Sequence, residues 1–290
     1  MKLALLTASE WPQGDGDDGF LLAALKQRGI EANWHIWQAP ELLMQYDMCL
    51  IRSVWDYHLK PQAFLQSIQE LAVHTPVLNA PEVVAWNSEK TYLKELQTAG
   101  LPVATTHWIT QSTDGDSLRN KLSQSTDKEC FLKPVIGADA SATLRFKADS
   151  EGIQKALHHI EQNLSHCELM LQAFMPSVMS YGELSVIYFG RQFSHAVIKK
   201  PQAGDYRVQD TFGGVDKLYH LNREQRRVAD DCMDYLQGRF GRLTYVRLDF
   251  LYDHDDQMVV NEVELIEPSL FFRHRPEAAF LLADELLSST

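Results

Sequence analysis

The chain has 290 residues and a formal net charge of −12. With 45% hydrophobic and 23% charged residues it has globular composition and enough length for two or three lobes. The acid excess argues against a broad face for a phosphate backbone, so nucleic acid is not an expected partner, although a few Lys and Arg side chains can hold a small anion.

The elements alternate from the start. Residues 2–8 read as a strand, the Gly- and Asp-rich 14–19 as a loop, and FLLAALKQRG as a helix stopped at Gly29. Strands follow at 31–37 and in MCLIRS (48–53), then a helix at 61–72 with Pro61 in its first turn, then a strand at 77–80. This is the pattern of a small α/β layer ending near residue 85. Residues 88–99 predict a helix capped by Ser88 and closed by Gly100, and 103–110 a strand. The polar stretch 111–128 predicts a connection with one short helix, leading into a middle lobe near 125–200. That lobe contains strands at 130–135 and 168–175, a helix at 152–162, and a hairpin of 183–190 with 193–200. A long helix at 222–240 precedes strands 244–253 and 257–267, joined by the acidic turn HDD, and a helix at 276–287 ends the series.

No apolar run reaches the roughly 18 residues a membrane span needs. The opening MKLALLTASEW meets acidic GDGDDG too soon for a signal peptide, so a cytoplasmic protein without membrane contact is expected. Cys49, Cys130, Cys167 and Cys232 form no CxxC unit; the first, second and fourth lie beside apolar stretches and read as core side chains. Trp34, Trp37, Trp55 and Trp86 read as buried packing residues. His195 has no spaced His or Cys partner and reads as a satisfied strand histidine, and no nucleophile motif is present.

The candidate chemistry is carried by charge. Asp249 lies inside an apolar strand, and Glu262 and Glu264 lie two apart in the next, so the two glutamates share one face and Asn261, Val263 and Leu265 the other. Paired carboxylates repel, so they occupy either a solvated sheet face or a cleft holding cations such as Mg²⁺. Lys133 precedes a loop of small residues at 137–143, which suits phosphate oxygens or an ordinary surface loop; there is no P-loop motif. Lys90 stands in a helix, Arg207 in a polar segment, and Arg247 shares a strand face with Asp249, as an ion pair or as a stabiliser of phosphoryl charge. Arg52 ends a strand, where α/β layers tend to place ligands, and is otherwise a surface arginine.

In order, RSVWDY (52–57), WNSEKTYLKELQTAGLPV (86–103), FLKPVIGADASATLR (131–145), LMLQAFM (169–175), GELS (182–185), KKPQAGDYRVQDTFGG (199–214), YVRLDF (245–250) and NEVELIEPSLFF (261–272) resemble the ATP-grasp superfamily, in its prokaryotic glutathione-synthetase-like and cycloserine-forming-ligase-like branch. The resemblance implies an N-terminal α/β domain (1–85) and an ATP-grasp domain (86–290) that binds ATP between two α+β lobes, with a mobile lid at about 125–200. It implies Lys90 and Lys133 on ATP phosphates, a hinge of Gln172, Ala173, Phe174 and Met175 reading adenine, and Glu183 on the ribose. It further implies Asp249, Glu262 and Glu264 on Mg²⁺, and Arg207 and Arg247 steadying the transferred phosphoryl. Arg52, Trp55 and Asp56 are the substrate-side candidates. Two departures stand out: Glu264 replaces the usual Asn, and IEPSLF replaces an SPG-like close. The expected activity is an ATP-dependent carboxylate–amine ligase acting through an acyl phosphate on a small amino-acid-like or peptide-like substrate. A kinase-like phosphotransferase and a non-catalytic nucleotide- or partner-binding module are the alternatives, and the resemblance leaves room for a homodimer.

Overall fold

A computed structural model describes residues 1–39, 43, 45–110, 113–123, 129–137, 142–163 and 168–288. The fold is α/β and α+β, built, among the described residues, on three sheets. The first is fully parallel: β1 (Lys2–Thr7), β2 (Glu31–Ile36), β3 (Met48–Ser53) and β4 (Val77–Leu78), in the order β2-β1-β3-β4. Every residue of β3 is buried, as expected for the interior of a parallel sheet. Helix α1 (Asp18–Gln27) ends at Gly29, whose φ of +71° suits glycine. Helix α2 (Pro61–Ala72) starts on Pro61.

The expected helix at 88–99 is preceded by a separate helix, α3 (Pro81–Asn87), and is itself shorter, α4 (Tyr92–Thr98). Ser88 ends the first instead of capping the second, and its hydroxyl donates to the Ala85 carbonyl. The break has a tertiary cause: the Lys90 N–H donates to the Val135 carbonyl at 2.8 Å, which pins the segment against the next lobe.

The second sheet, antiparallel, contains β5 (Thr106–Ile109), β6 (Glu129–Pro134), β7 (Leu144–Lys147) and β8 (Leu169–Ala173), in the order β5-β8-β6-β7. It shares an apolar core with helices α5 (Gly115–Ser123) and α6 (Ser150–Asn163). A short helix, α7 (Ser177–Ser180), follows. The third sheet is also antiparallel: β9 (Glu183–Phe189), β10 (Gln192–Lys200), β11 (Val215–Tyr219), β12 (Tyr245–Tyr252) and β13 (Met258–Glu264), in the order β11-β10-β9-β12-β13. Sheet membership therefore divides the chain differently from a lobe at 125–200. The second sheet spans 106–173, and the 183–200 hairpin pairs with β12 in the third. Strands β7 and β11, not anticipated from the sequence, are short, LRFK and VDKLY, and largely face solvent.

Helix α8 (Arg223–Phe240) packs Val228, Ala229, Cys232, Met233 and Leu236 into the largest core. Asn222 and Gln225 form a reciprocal capping box at its start. The last helix, α9 (Ala278–Leu287), returns to the parallel layer, where Ala279, Leu282 and Leu286 share a core with Leu3, Leu21 and Leu25. Cys49, Cys130 and Cys232 are buried, while Cys167 lies outside the described residues. His195 is buried too, with ring nitrogens bonded to the Ser194 hydroxyl and the Leu270 carbonyl. Among the described residues no helix is long and apolar enough to cross a membrane.

Candidate active site

The three sheets converge on one cavity of about 540 Å³. The second sheet contributes Phe131, Lys133 and Gln172; the third contributes Glu183, Lys199, Arg247, Asp249, Glu262 and Glu264. The carboxyl end of the parallel sheet and the loop after β1 contribute Trp55, Trp11 and Asp15. A cleft outside strand ends is where α/β layers hold ligands.

Strand register builds the charged wall. Arg247 lies opposite Glu264, Asp249 opposite both Glu262 and Ser185, and Lys199 opposite Glu183. Asp249 is 2% exposed and accepts from Ser185 Oγ at 2.5 Å, Arg247 Nη2 at 2.9 Å and Lys199 Nζ at 3.2 Å. Burial alone raises a carboxyl, but Arg247 and Lys199 outweigh it and hold Asp249 at about 2. Arg247 also donates to Glu264 and, at 3.1 Å, to the Ser269 carbonyl. Glu264 still rises to about 8, because burial, reinforced by Asp249 and Glu262, exceeds the pull of Arg247. Burial likewise lifts Glu267 well above the carboxylate range.

Asn261 corrects the expected alternation. A bulge puts Asp249 against Glu262 but Phe250 against Val260, leaving Asn261 without a partner residue in the ladder. Its side chain turns to the cavity and donates to Glu183 Oε1 at 2.7 Å.

The two lysines differ. Lys90 Nζ is 2.9 Å from Glu262 and donates to the Gly137 carbonyl at 2.8 Å. Burial lowers its ammonium, but Glu262, with Glu264 and Glu267, more than reverses this. Lys133 has neither hydrogen bond nor ion pair among the described residues; the Phe131 ring lies 5.4 Å away, and Glu262 and Glu183 act on its charge from beyond ion-pair distance. Burial leaves its ammonium below the usual lysine value. The small-residue loop expected beside it lies outside the described residues over 138–141.

Gln172, Ala173, Phe174 and Met175 all line the cavity. Phe131, Phe174 and Tyr206 form an aromatic cluster, with Phe131–Phe174 and Phe131–Tyr206 centroid distances of 5.5 and 4.9 Å, beside Val178 and Val208. This wall suits a planar base. The Phe174 N–H is already donated to the Glu129 carbonyl. Arg207 reaches the cavity while paired to Asp205 at 2.7 Å and stacked 3.8 Å from the Phe212 ring centre.

The substrate-side candidates separate. Trp55 lines the cavity and donates its indole N–H to the Glu267 carbonyl at 3.1 Å. Arg52 does not line it: the guanidinium is buried against Asp18 at 2.9 Å and the Pro268 carbonyl. Asp56 turns away and accepts from Trp37 and Gln38. Lys199, Glu267 and Asn261 were missed in the sequence. A lysine inside an otherwise buried strand was the available signal for Lys199; the other two depend on strand register and on the cleft.

The donor set for a divalent cation is chemically suitable, since Asp249, Glu262 and Glu264 supply hard oxygen ligands. Among the described residues, however, no three such side chains gather around one point. Each of these acids faces Arg247, Lys199 or Lys90.

Residues 95–269 match the model for the prokaryotic glutathione synthetase ATP-grasp domain. The chain belongs to this ATP-grasp family. Residues 3–79 match the N-terminal domain of D-cycloserine synthetase DcsG. Cycloserine biosynthesis protein DcsG of Streptomyces lavendulae is 25% identical, with 98% of this chain and 97% of that protein covered. Glutathione synthetase of Ralstonia nicotianae is 22% identical, over 88% and 75% of the two chains. The crystal structure of D-cycloserine synthetase DcsG superposes with a TM-score of 0.90 at 24% identity, covering 100% of this chain and 99% of the other. A D-alanine–D-alanine ligase from Bacillus anthracis gives 0.70 at 13%, covering 99% and 96%. Membership places this ATP-grasp protein in a nucleotide-binding ligase class, in the branch of DcsG and the glutathione synthetases.

Proposed function

We propose that this ATP-grasp protein is an ATP-dependent carboxylate–amine ligase that forms an acyl phosphate on a small amino-acid-like or peptide-like acid, then an amide-type C–N bond. The observation that carries the reading is Lys133, a half-buried ammonium with no hydrogen bond or ion pair among the described residues, facing the same cavity as Asp249, Glu262 and Glu264. A partly desolvated cation without a direct ion pair favours a ligand that supplies the anion, and ATP phosphates do so.

Asp249, Glu262 and Glu264 would hold Mg²⁺, which when bound neutralises charge on the nucleotide phosphates. The aromatic wall at Phe131, Phe174 and Tyr206 receives the base. Lys90 and Lys133 orient the phosphates. Arg207 and Arg247 face charge that develops as a substrate carboxylate oxygen attacks the γ-phosphorus and ADP leaves. The amine then attacks the acyl carbon, phosphate departs, and the amine loses a proton. No side-chain nucleophile is required, in keeping with the buried, bonded state of His195 and the buried cysteines.

The test is turnover with ATP, Mg²⁺ and a panel of amino acids and short peptides in hydroxylamine. Hydroxamate formed in step with ADP supports the acyl phosphate. ADP with a stable phosphorylated product instead identifies a phosphotransferase, and nucleotide binding without ADP release across the panel rejects the ligase.

A further inference from the structure

We infer that Asp17, remote from the charged wall in sequence, is a positioning residue for Arg247: its carboxylate fixes the turn 269–273, and that turn holds the guanidinium at the cavity. Given the ligase reading, Asp17 sets the rate of phosphoryl transfer without touching substrate.

Asp17 stands where a helix cap would stand, directly before α1, yet its side chain caps none of that helix's N–H groups. It reaches across the chain and accepts the N–H groups of Phe272 and Arg273, each at 2.6 Å. Asp17 is 8% exposed, and burial raises its carboxyl against the opposing pull of both N–H groups. Two charge-assisted bonds to adjacent N–H groups fix the path of the backbone that carries them. That backbone is strained. Phe271 has a φ of +52° and a ψ of +39°, a left-handed conformation that a bulky residue rarely adopts. Such an outlier persists only where its surroundings over-determine it.

The neighbours of Phe271 give the strained turn a use. Arg247 donates to the Ser269 carbonyl at 3.1 Å, and its guanidinium lies 5.6 Å from the Phe271 ring centre. Its other partners, Asp249 and Glu264, are the acids proposed for Mg²⁺, so the carbonyl and the ring are the anchors that do not depend on what those acids hold. Both anchors lie in IEPSLF, the segment that departs from an SPG-like close. Phe271 lines the cavity at 4% exposure; a glycine would take the same backbone without strain but would supply no ring. Adjacent residues brace the same turn. Asp18 pairs with Arg52, which donates to the Pro268 carbonyl at 3.1 Å, and His195 bonds the Leu270 carbonyl at 3.0 Å. Arg273, held by Asp17 at its N–H, pairs through its guanidinium with Asp210 at 3.0 Å, in the cavity loop that carries Arg207.

The test is a double-mutant cycle of Asp17→Asn and Arg247→Lys, read in the hydroxylamine trap. Asparagine keeps one acceptor oxygen and loses the other, while lysine keeps the charge and gives up the fork that reaches Ser269. Asp17→Asn is expected to lower kcat about tenfold with the KM for ATP within about twofold. The Phe272 and Arg273 amides should exchange hydrogen faster while those of β12 stay protected. The double variant should match Arg247→Lys alone within about twofold. Effects that multiply overturn the inference, as does an Asp17→Asn protein that unfolds at lower urea with kcat unchanged. Where Arg247→Lys does not fold, Phe271→Leu takes its place in the cycle. If the unaltered protein traps no acid, the ligase reading fails, and the same cycle is read in the affinity for ADP·Mg²⁺ with tetrafluoroaluminate, a mimic of the transferring phosphoryl group. Non-additive losses of affinity support the positioning role; additive losses, or no binding by the unaltered protein, overturn it.

Discussion

Replacing Lys199 tests whether the charged wall is a stability element as well as a functional one. Its ammonium lies 2.8 Å from Glu183 and 3.2 Å from Asp249, and the three side chains are 10%, 9% and 2% exposed. Removing one member of a buried pair leaves its partner's charge uncompensated, at a cost of about 3–5 kcal/mol. Here Asp249 keeps Arg247 and Ser185, and Glu183 keeps Asn261, so the loss belongs at the lower end. Lys199→Met should therefore lower the unfolding free energy by about 3 kcal/mol, read as a shift of the urea midpoint at unchanged slope. Adding Glu183→Gln removes one stranded charge and should recover at least about 1 kcal/mol. A loss of less than about 1 kcal/mol, typical of exposed pairs, or no recovery in the double variant, would refute the reasoning.

Lys133→Met should weaken ATP·Mg binding by about 10–100-fold, the worth of a charge-assisted hydrogen bond, while the unfolding midpoint stays level or rises because a half-buried cation without a direct ion pair is gone. Calorimetry showing affinity within about twofold of the parent would remove Lys133 from the phosphate site. Glu262→Ala, with Glu264 untouched, should reduce Mg²⁺-dependent nucleotide affinity at least about tenfold; survival of that affinity rules out Glu262 as a metal ligand. For His195, burial depresses the imidazole from 6.5 to about 4. The unfolded chain takes up the proton first, so this contribution is complete above pH 6.5 and is lost as pH falls toward 4. It amounts to about 3 kcal/mol. His195→Gln should flatten that span of the stability curve, and an unchanged curve would show that His195 already titrates normally in the fold.

Local sequence reached the strands and helices that have a strong apolar rhythm, including β3, the β9–β10 hairpin and the β12–β13 pair. It also reached the shared face of Glu262 and Glu264, because a strand repeats every two residues. Ordered segments beyond that rhythm pointed to the ATP-grasp fold. Local sequence could not show that Arg52 is neutralised by Asp18, 34 residues earlier, or that Lys199 sits between Glu183 and Asp249. Nor could it show the bulge that swings Asn261 into the cavity, the helix break held by Val135, or the withdrawal of Asp56 toward Trp37. Periodicity is set by neighbours a few positions away along the chain, whereas pairing, register and desolvation are set by residues that meet only once the sheets have assembled. The sequence by itself thus determined which residues could carry the charge of this site. The tertiary structure decided which of those charges are spent on one another and which, as at Lys133, have no hydrogen bond or ion pair among the described residues.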